Sequence, residues 1–258
     1  MTDIENHGRD HVASLQRGLS VVEILAGNPP GLTLTETAAQ AGLTRAGARR
    51  LLLTLVASGY AEQDGRRFRL SPRLISLART WLAGASLWSY AEPFMRAVSS
   101  ELNESCSAAV LSGEDVVYVA RVPARHIVTV QLHVGTRLPA YCTSMGRVLL
   151  SGLHPADRDA FLAAATIRAN TTKTITSPSQ IADAIGEAGE RGFSVVDEEL
   201  ELGLRSIAVP VRNRAGTIVA AINVSTQSAR CSMRDMQRNF LPPLKAAARK
   251  IEDFFVVQ

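Results

Sequence analysis

Arginines cluster in one stretch of the chain at spacings that could bind phosphate. Between residues 44 and 79, eight arginines are accompanied by only two acidic residues, Glu62 and Asp64, a surplus of six positive charges. The whole chain carries a net charge of +4, so the remainder is slightly acidic. Basic charge concentrated in one segment is typical of nucleic-acid binding. Taken alone, the charge would also fit an ordinary solvated basic face.

A second group of residues could support nucleophilic catalysis. Residues 142–146, CTSMG, approach the Gly-x-Ser-x-Gly pattern of a nucleophile elbow but lack its first glycine. A Cys142 nucleophile with His133 as its base would need the two side chains within hydrogen-bond reach, and His154 is not where a triad would have its base. The sequence has no Walker loop, dinucleotide fingerprint, HExxH or CxxC pattern. We therefore expect no catalytic residues, no metal and no cofactor, with a Cys142 hydrolase as the remote alternative.

The apolar spacing around the arginines predicts a helix-turn-helix unit. Residues 35–41 have a helical pattern, residues 42–44 break it, and a second helix begins at Arg45. On that helix Ala46, Arg49 and Arg50 lie near the N-terminus, where recognition helices meet base edges. They fall opposite a stripe with the i, i+3, i+4, i+7 spacing of a buried face: Ala48, Leu51, Leu52 and Leu55.

Two short strands follow around an Asp-Gly hairpin signal at residues 64–65 and predict a wing. A helix at residues 13–26, with the apolar positions Leu15, Leu19, Val22 and 24–26, would support the unit. We expect double-stranded DNA to contact the second helix and the wing through Thr44, Arg45, Ala46, Arg49, Arg50, Arg66, Arg67 and Arg69.

A further helix is expected from residue 72, because Ser71 suits an N-cap and Pro72 the first helical position. Its apolar stripe is generous for a linker, so we expect it to pack between subunits as well as domains. Covering its own winged helix is the alternative. The stripe consists of Leu74, Leu77, Ala78, Trp81, Leu82 and Ala85.

The rest of the chain predicts an α+β domain, a mostly antiparallel sheet with helices to one side. A helix is expected at residues 87–105. Strands are expected at 106–111, 116–121, 127–134, 193–196, 206–211 and 217–224, with a loop at 135–139. Further helices are expected at 144–150, 156–165 and 180–191, and a C-terminal helix from 232 that is interrupted at 242–243.

The cysteines and the hydropathy of the sequence indicate the cellular compartment of the protein. Cys106, Cys142 and Cys231 are odd in number and far apart, which argues against a disulfide framework or a zinc knuckle. No apolar segment resembles a signal peptide or approaches the roughly 20 residues that span a bilayer. We expect a soluble cytoplasmic protein with no membrane partner.

Several stretches resemble the IclR-type transcriptional regulators in order and spacing, from residue 14 to residue 255. They are LQRGL at 15–19, RRLL at 49–52, VGTRLP at 134–139, TSMGR at 143–147, DEEL at 197–200, GLRSIAVPV at 203–211 and AAINV at 220–224. Within that family the chain is most similar overall to the group that governs aromatic-acid breakdown, such as the protocatechuate and p-hydroxybenzoate regulators.

The resemblance implies a DNA-binding regulator that forms a homodimer or a dimer of dimers and responds to a small molecule. The expected domains are a flexible tail at 1–12, a winged helix-turn-helix at 13–71, a linker and dimerisation helix at 72–85, and a GAF-like or profilin-like effector domain at 86–258. Sensing a non-aromatic organic acid is an alternative. A winged-helix scaffold for protein interactions is another.

The family's effector pocket lies near the helix that begins at Ser144, whose free N–H groups and dipole suit a carboxylate. Side chains expected to wall or bond an aromatic acid there are Tyr141, Cys142, Thr143, Ser144, Met145, Gly146, Ser206 and Asn223. Possible charge partners are Arg121, His133 and Arg137. Both arginines could instead pair with Asp197, Glu198 or Glu199, and His133 could have a surface or structural role.

Overall fold

The fold was derived from a computed structural model, in which residues 12–77, 86–124 and 132–257 are described. The chain separates into two compact units, Met1–Gly84 and Ala85–Gln258. Three predictions fall wholly or partly outside the described residues: the tail before residue 12, residues 78–85 of the linker helix, and residues 127–131 of the third strand.

The first unit contains the predicted helix-turn-helix and wing. Its elements are α1 (Ala13–Ala26), β1 (Leu32–Thr33), α2 (Leu34–Gln40), α3 (Arg45–Ala57), β2 (Ala61–Asp64) and β3 (Arg67–Leu70). The strands form an antiparallel sheet in the order β1-β3-β2. Side-chain hydroxyls start the two central helices, since Thr33 forms a capping box with Glu36 and Thr44 accepts a hydrogen bond from the Gly47 amide. Residues 73–77 are helical.

The core of this unit uses only part of the apolar surface of α1 that the sequence suggested. Val21 and Leu25 are buried with Leu52 of α3 and Phe68 of β3. Leu15 and Leu19 are instead 62% and 56% exposed. The helix carries two apolar stripes, and the periodicity alone did not distinguish the stripe that faces the core.

The second unit is built on one six-stranded antiparallel sheet, which confirms the α+β prediction. The sheet order is β6-β5-β4-β9-β8-β7. The strands are β4 (Ser105–Ser112), β5 (Asp115–Val122), β6 (Arg137–Pro139), β7 (Ser194–Asp197), β8 (Leu204–Arg212) and β9 (Ile218–Gln227). The helices are α4 (Ser86–Leu102), α5 (Ser144–Ser151), α6 (Pro155–Ala164), α7 (Pro178–Arg191), α8 (Met233–Asn239), α9 (Leu241–Glu252) and α10 (Phe254–Val257).

Most predicted boundaries shift by one to three residues, and the predicted interruption of the C-terminal helix at 242–243 lies instead at Phe240, between α8 and α9, with both prolines in the first turn of α9. Helix α4 ends at Leu102 because Asn103 takes a left-handed φ of 54° and β4 begins at Ser105. Residues 137–139 were predicted as loop but pair with β5. Residues 132–134, predicted as the end of a strand, are not in a strand.

The two faces of the large sheet pack against different helices. On one face, alternate residues such as Cys106, Ile207 and Ile222 form a core with α4 and α9. On the other face, Ala109 and Ala221 of the sheet pack against the α5 side chains Met145, Val148 and Leu149. This alternation follows from the two-residue period of a strand.

Two contacts fix the position of α5 against neighbouring loop segments. A Cβ atom at Gly146 would lie 2.0 Å from the Ala140 carbonyl oxygen, so the helix approaches the preceding segment more closely than any side chain would allow. Next to it, the Arg147 Nη2 and Glu199 Oε2 atoms form a buried ion pair at 2.8 Å. Arg147 Nε also donates to the Tyr141 carbonyl oxygen at 3.1 Å, and the Ile175 amide donates to Glu199 Oε2 at 3.1 Å.

We predict that Gly146→Ala lowers the free energy of unfolding by about 1–3 kcal/mol or more, because the backbone of residue 140 has to move. The matched control is Gly186→Ala in α7, where an added Cβ meets nothing within 4 Å. That change should instead stabilise the protein by about 0.5–1 kcal/mol through helix propensity. Urea denaturation of both variants makes the comparison, and equal stabilities would contradict the close approach.

We predict that Arg147→Met lowers the free energy of unfolding by about 3–5 kcal/mol, because it leaves the Glu199 carboxylate buried without its counter-ion. Combining it with Glu199→Leu should recover much of that loss, since both charges are then absent. Chemical denaturation of the single and double variants measures the coupling. A single variant as stable as the wild type would contradict a dominant role for the pair.

Candidate functional site

A cavity of about 280 Å³ lies in the second unit, between the large sheet and the start of α5. Its size is near the lower end of small-molecule sites, which are roughly 300–1,000 Å³. Short polar side chains form its floor: Ser105, Ser206, Asn223 and Ser225. Strand pairing brings them together, since Ser225 of β9 is opposite both Ser105 of β4 and Ser206 of β8. Because these side chains are short, they leave room for a cavity above the sheet.

The start of α5 contributes one wall of the cavity. Thr143 caps the helix by accepting a hydrogen bond from the Gly146 amide at 3.2 Å. Ser144 follows at the first helical position, and its buried Oγ has no hydrogen-bond partner among the described residues. Buried hydroxyl groups are almost always hydrogen-bonded. Ser144 lines the cavity, and a bound molecule that reached this hydroxyl would supply the missing hydrogen bond.

Arg121, on β5, also lines the cavity and is half-buried. Its Nη1 and Nη2 atoms donate to the hydroxyls of Ser107 and Ser105 at 3.3 and 3.4 Å. Across the described ranges, no acidic side chain forms an ion pair with it. Burial lowers the pKa of the guanidinium from its usual value. The cavity therefore contains a cation with only neutral partners.

The other charged groups that line the cavity are paired or exposed. The carboxylate of Glu104 lies 3.2 Å from Arg230 and accepts a hydrogen bond from the Thr226 hydroxyl at 2.7 Å. Glu201 is exposed to solvent. Among the described residues that line the cavity, Arg121 is thus the half-buried charge without a counter-ion.

Residues 200–203 border the cavity, and the segment that precedes them is held at several points. The hydroxyls of Thr171 and Thr174 each donate at 2.6 Å, to the carbonyl oxygens of Glu198 and Glu199 respectively. The Glu198 carboxylate lies 2.9 Å from Lys173 Nζ and accepts from the Gly203 amide at 3.1 Å. The hydrogen bond from Lys173 is the largest cause that lowers the pKa of Glu198 to about 2.

Seven of the predicted effector residues line this cavity: Arg121, Cys142, Thr143, Ser144, Met145, Ser206 and Asn223. The other four are absent from its lining. Tyr141 donates its hydroxyl to the Arg168 carbonyl at 2.7 Å and thereby braces a loop. Gly146 lies against Ala140. His133 is exposed in a loop, and Arg137 pairs with Asp115 at 3.0 Å.

The acidic triplet 197–199 takes other partners than the arginines proposed from the sequence. Asp197 pairs with Arg205 at 2.6 Å, Glu198 with Lys173, and Glu199 with Arg147. Neither Arg121 nor Arg137 pairs with this triplet. Arg147 and Glu104 were missed by the sequence reasoning, because no local spacing relates either of them to its partner.

The surroundings of Cys142 are those of an unreactive thiol. Burial is the largest cause that raises its pKa to about 11, and the Glu199 charge adds to the effect. Asn170 Nδ2 donates to its sulfur at 3.3 Å, whereas His154 caps α6 by accepting from the Ala156 amide. In the described part of the chain, no three His, Cys, Asp or Glu side chains group as a metal site would require. None of the described helices is long and apolar enough to cross a bilayer.

In the first unit, the exposed surface of α3 presents basic side chains. Thr44, Arg45, Ala46, Arg49 and Arg50 are exposed there, as are Arg66, Arg67 and Arg69 of the wing. Two wing arginines have partners within the unit, since Arg67 Nη1 donates to the Gly31 carbonyl at 2.7 Å and Arg69 pairs with Glu62 at 3.1 Å. No ion pair engages Arg49, Arg50 or Arg66 within the described residues.

Both units match known protein families. The family model for the IclR helix-turn-helix domain matches residues 14–65, and that for the bacterial transcriptional regulator IclR C-terminal matches residues 80–253. The Pca regulon regulatory protein of Pseudomonas putida is 38% identical over 94% of this chain and 84% of its own length. The p-hydroxybenzoate hydroxylase transcriptional activator of Acinetobacter baylyi is 31% identical over 95% of this chain and 92% of its own length.

Solved structures agree with this. A transcriptional regulator from Rhodococcus sp. RHA1 is 43% identical, with a TM-score of 0.82 over 96% of this chain and 99% of that one. A double mutant of the PobR inducer-binding domain from Acinetobacter, in complex with 3-hydroxybenzoic acid, is 29% identical, with a TM-score of 0.61 over 65% of this chain and 98% of that one. These regulators are not enzymes. The chain belongs to the IclR family of ligand-responsive, DNA-binding transcriptional regulators.

Proposed function

We propose that this regulator senses a small aromatic carboxylic acid, such as protocatechuate or p-hydroxybenzoate, and controls genes for aromatic-acid catabolism. The observation that carries the proposal is a cavity lined both by a cation that forms no ion pair among the described residues, Arg121, and by a residue whose buried hydroxyl has no hydrogen-bond partner there, Ser144. Apolar side chains beside them suit an aromatic ring: Tyr118, Leu132, Met145 and Leu200. The proposed effector contacts are Arg121, Cys142, Thr143, Ser144, Met145, Ser206 and Asn223.

The relatives support the aromatic assignment. One is named the p-hydroxybenzoate hydroxylase transcriptional activator, and a double mutant of the PobR inducer-binding domain was crystallised with 3-hydroxybenzoic acid. A non-aromatic organic acid is the second candidate, and the hydroxyl-rich floor with Ser105, Ser206 and Ser225 favours it.

Each segment of the chain has a separate proposed role. Residues 13–71 bind operator DNA, residues 72–85 link and dimerise, and residues 86–258 bind the effector, all in the cytoplasm. One short recognition helix contacts few bases, so a useful site needs two copies at a fixed spacing. Exposed apolar side chains in the first unit support a homodimer or a dimer of dimers: Leu15, Leu19, Ile75 and Leu77. The effector changes DNA affinity by binding one dimer arrangement better than another.

We predict that Arg49→Ala and Arg50→Ala each weaken binding to the operator by about 1–3 kcal/mol where the arginine makes a bidentate base contact. Fluorescence anisotropy with DNA from upstream of the gene gives the affinity, and a scrambled duplex of the same composition gives the non-specific value. The loss should be larger on the operator. An equal loss on both duplexes would assign these residues to phosphate.

Within the same assay, Arg66→Ala should weaken all sequences alike and reduce the slope of log affinity against log salt by about 1. Arg69→Ala is the matched control, because this arginine is already paired with Glu62 and should change the slope less. A wing variant that altered sequence preference would reverse the assignment of base and phosphate roles. Binding by the wild type that is absent or insensitive to salt would favour a protein scaffold.

We predict that p-hydroxybenzoate or protocatechuate raises the unfolding temperature of the full-length protein, because a ligand that binds only the folded state stabilises it. A thermal-shift series with aromatic and aliphatic carboxylic acids measures the effect. Stabilisation by aliphatic acids alone would select the second candidate, while the DNA-binding function would be unaffected.

A further inference from the structure

The cavity is lined by a cation without a counter-ion and by a hydroxyl without a hydrogen-bond partner among the described residues, and this difference indicates how a ligand is oriented. Arg121 carries a full positive charge on β5. Ser144 offers a neutral hydroxyl at the start of α5, where it is buried and unbonded within the described residues. Resting on the proposed function, we propose that Arg121 binds the carboxylate of the effector, and that Ser144 and the start of α5 bind a second polar group of the same molecule.

The carboxylate belongs at Arg121 because that side chain has the larger charge and the more suitable donors. A guanidinium has five N–H donors in a planar fork that matches a carboxylate. Its present acceptors are the Ser105 and Ser107 hydroxyls at 3.4 and 3.3 Å, longer than the usual 2.9–3.0 Å or so. A carboxylate would therefore replace weak neutral contacts with short charge-assisted ones.

The start of α5 is a weaker anion site. A helix dipole contributes only about half a charge at its N-terminus. Thr143 already accepts hydrogen bonds from two of the first amides, Gly146 to its Oγ1 and Arg147 to its carbonyl oxygen. What remains beside Ser144 is suited to a hydroxyl group, which can donate and accept.

Charge balance in the cavity supports the same orientation. Glu104 and Arg230 neutralise each other, and Glu201 is exposed. An anion at Arg121 compensates a half-buried cation, whereas a neutral amide or ester in its place would leave that cation unpaired. The ligand class is therefore a carboxylate with a second hydrogen-bonding group, and the acid is distinguished from its amide by one residue.

The test compares 4-hydroxybenzoate with 4-hydroxybenzamide by isothermal titration calorimetry on the full-length protein. The wild type should bind the acid at least about tenfold more tightly than the amide. Arg121→Gln should abolish that preference, and Arg121→Lys should retain part of it. Arg137→Gln is the matched control, because Arg137 is on the neighbouring strand, pairs with Asp115 and does not line the cavity. It should keep the wild-type preference.

A second comparison addresses Ser144. In the wild type, 4-hydroxybenzoate should bind more tightly than benzoate, and Ser144→Ala should reduce that ratio while leaving the preference for acid over amide unchanged. Thermal unfolding of each variant without ligand verifies that it folds. Loss of the acid preference in Ser144→Ala, with Arg121→Gln unaffected, would reverse the proposed orientation and overturn the inference.

The outcomes separate this inference from the proposed function. Tight binding of 4-hydroxybenzoate whose preference over the amide survives Arg121→Gln would overturn the role of Arg121 and leave the aromatic assignment intact. If the wild type binds only aliphatic acids, the aromatic assignment is wrong. The same variants are then compared on succinate and succinamide. Loss of the acid preference in Arg121→Gln would still support the inference. Failure of both acid series would overturn both.

Discussion

The buried ion pair between Arg147 and Glu199 is the interaction on which the geometry of the cavity depends. Arg147 belongs to α5, whose first residue supplies the unbonded hydroxyl, and Glu199 immediately precedes the segment that borders the cavity. Separating two buried charges leaves each without compensation, at a cost of several kcal/mol. The pair therefore holds the start of α5 and the border of the cavity in register. The Tyr141 carbonyl and the Ile175 amide add one further hydrogen bond to each of the two side chains.

Much of the fold could be predicted because its signals are local. Helices α1 and α3 occupy the expected residues, since helical periodicity and the stop signals after them are contained in a few consecutive residues. Contacts between elements carried no such signal. The three residues of β6 form a strand only because β5 pairs with them, and the exposure of Leu15 and Leu19 depends on which stripe of α1 meets α3.

The candidate site divides in the same way. Ser144 was identified from the start of a helix and Asn223 from a hairpin strand, both of them local features. Arg147 was not, because its partner is 52 residues away in the chain. Gly146 was assigned to the ligand, whereas its absence of a side chain admits the backbone of Ala140. Residues that hold a site in shape leave weaker traces in sequence than residues that begin an element.

Successive residues of the strands that form the cavity floor face opposite sides of the sheet. Residues that shape the cavity are therefore distinct from residues that pack the core. Ser105, Ser206 and Ser225 face the cavity, while their neighbours Cys106, Ile207 and Val224 face the opposite core. A substitution at a floor position changes the depth and polarity of the cavity. The side chains that pack on the opposite face of the sheet stay the same. Under the proposed function, substitutions on this face of the sheet change inducer specificity, in evolution or in an engineered biosensor, without changing the packing of the hydrophobic core.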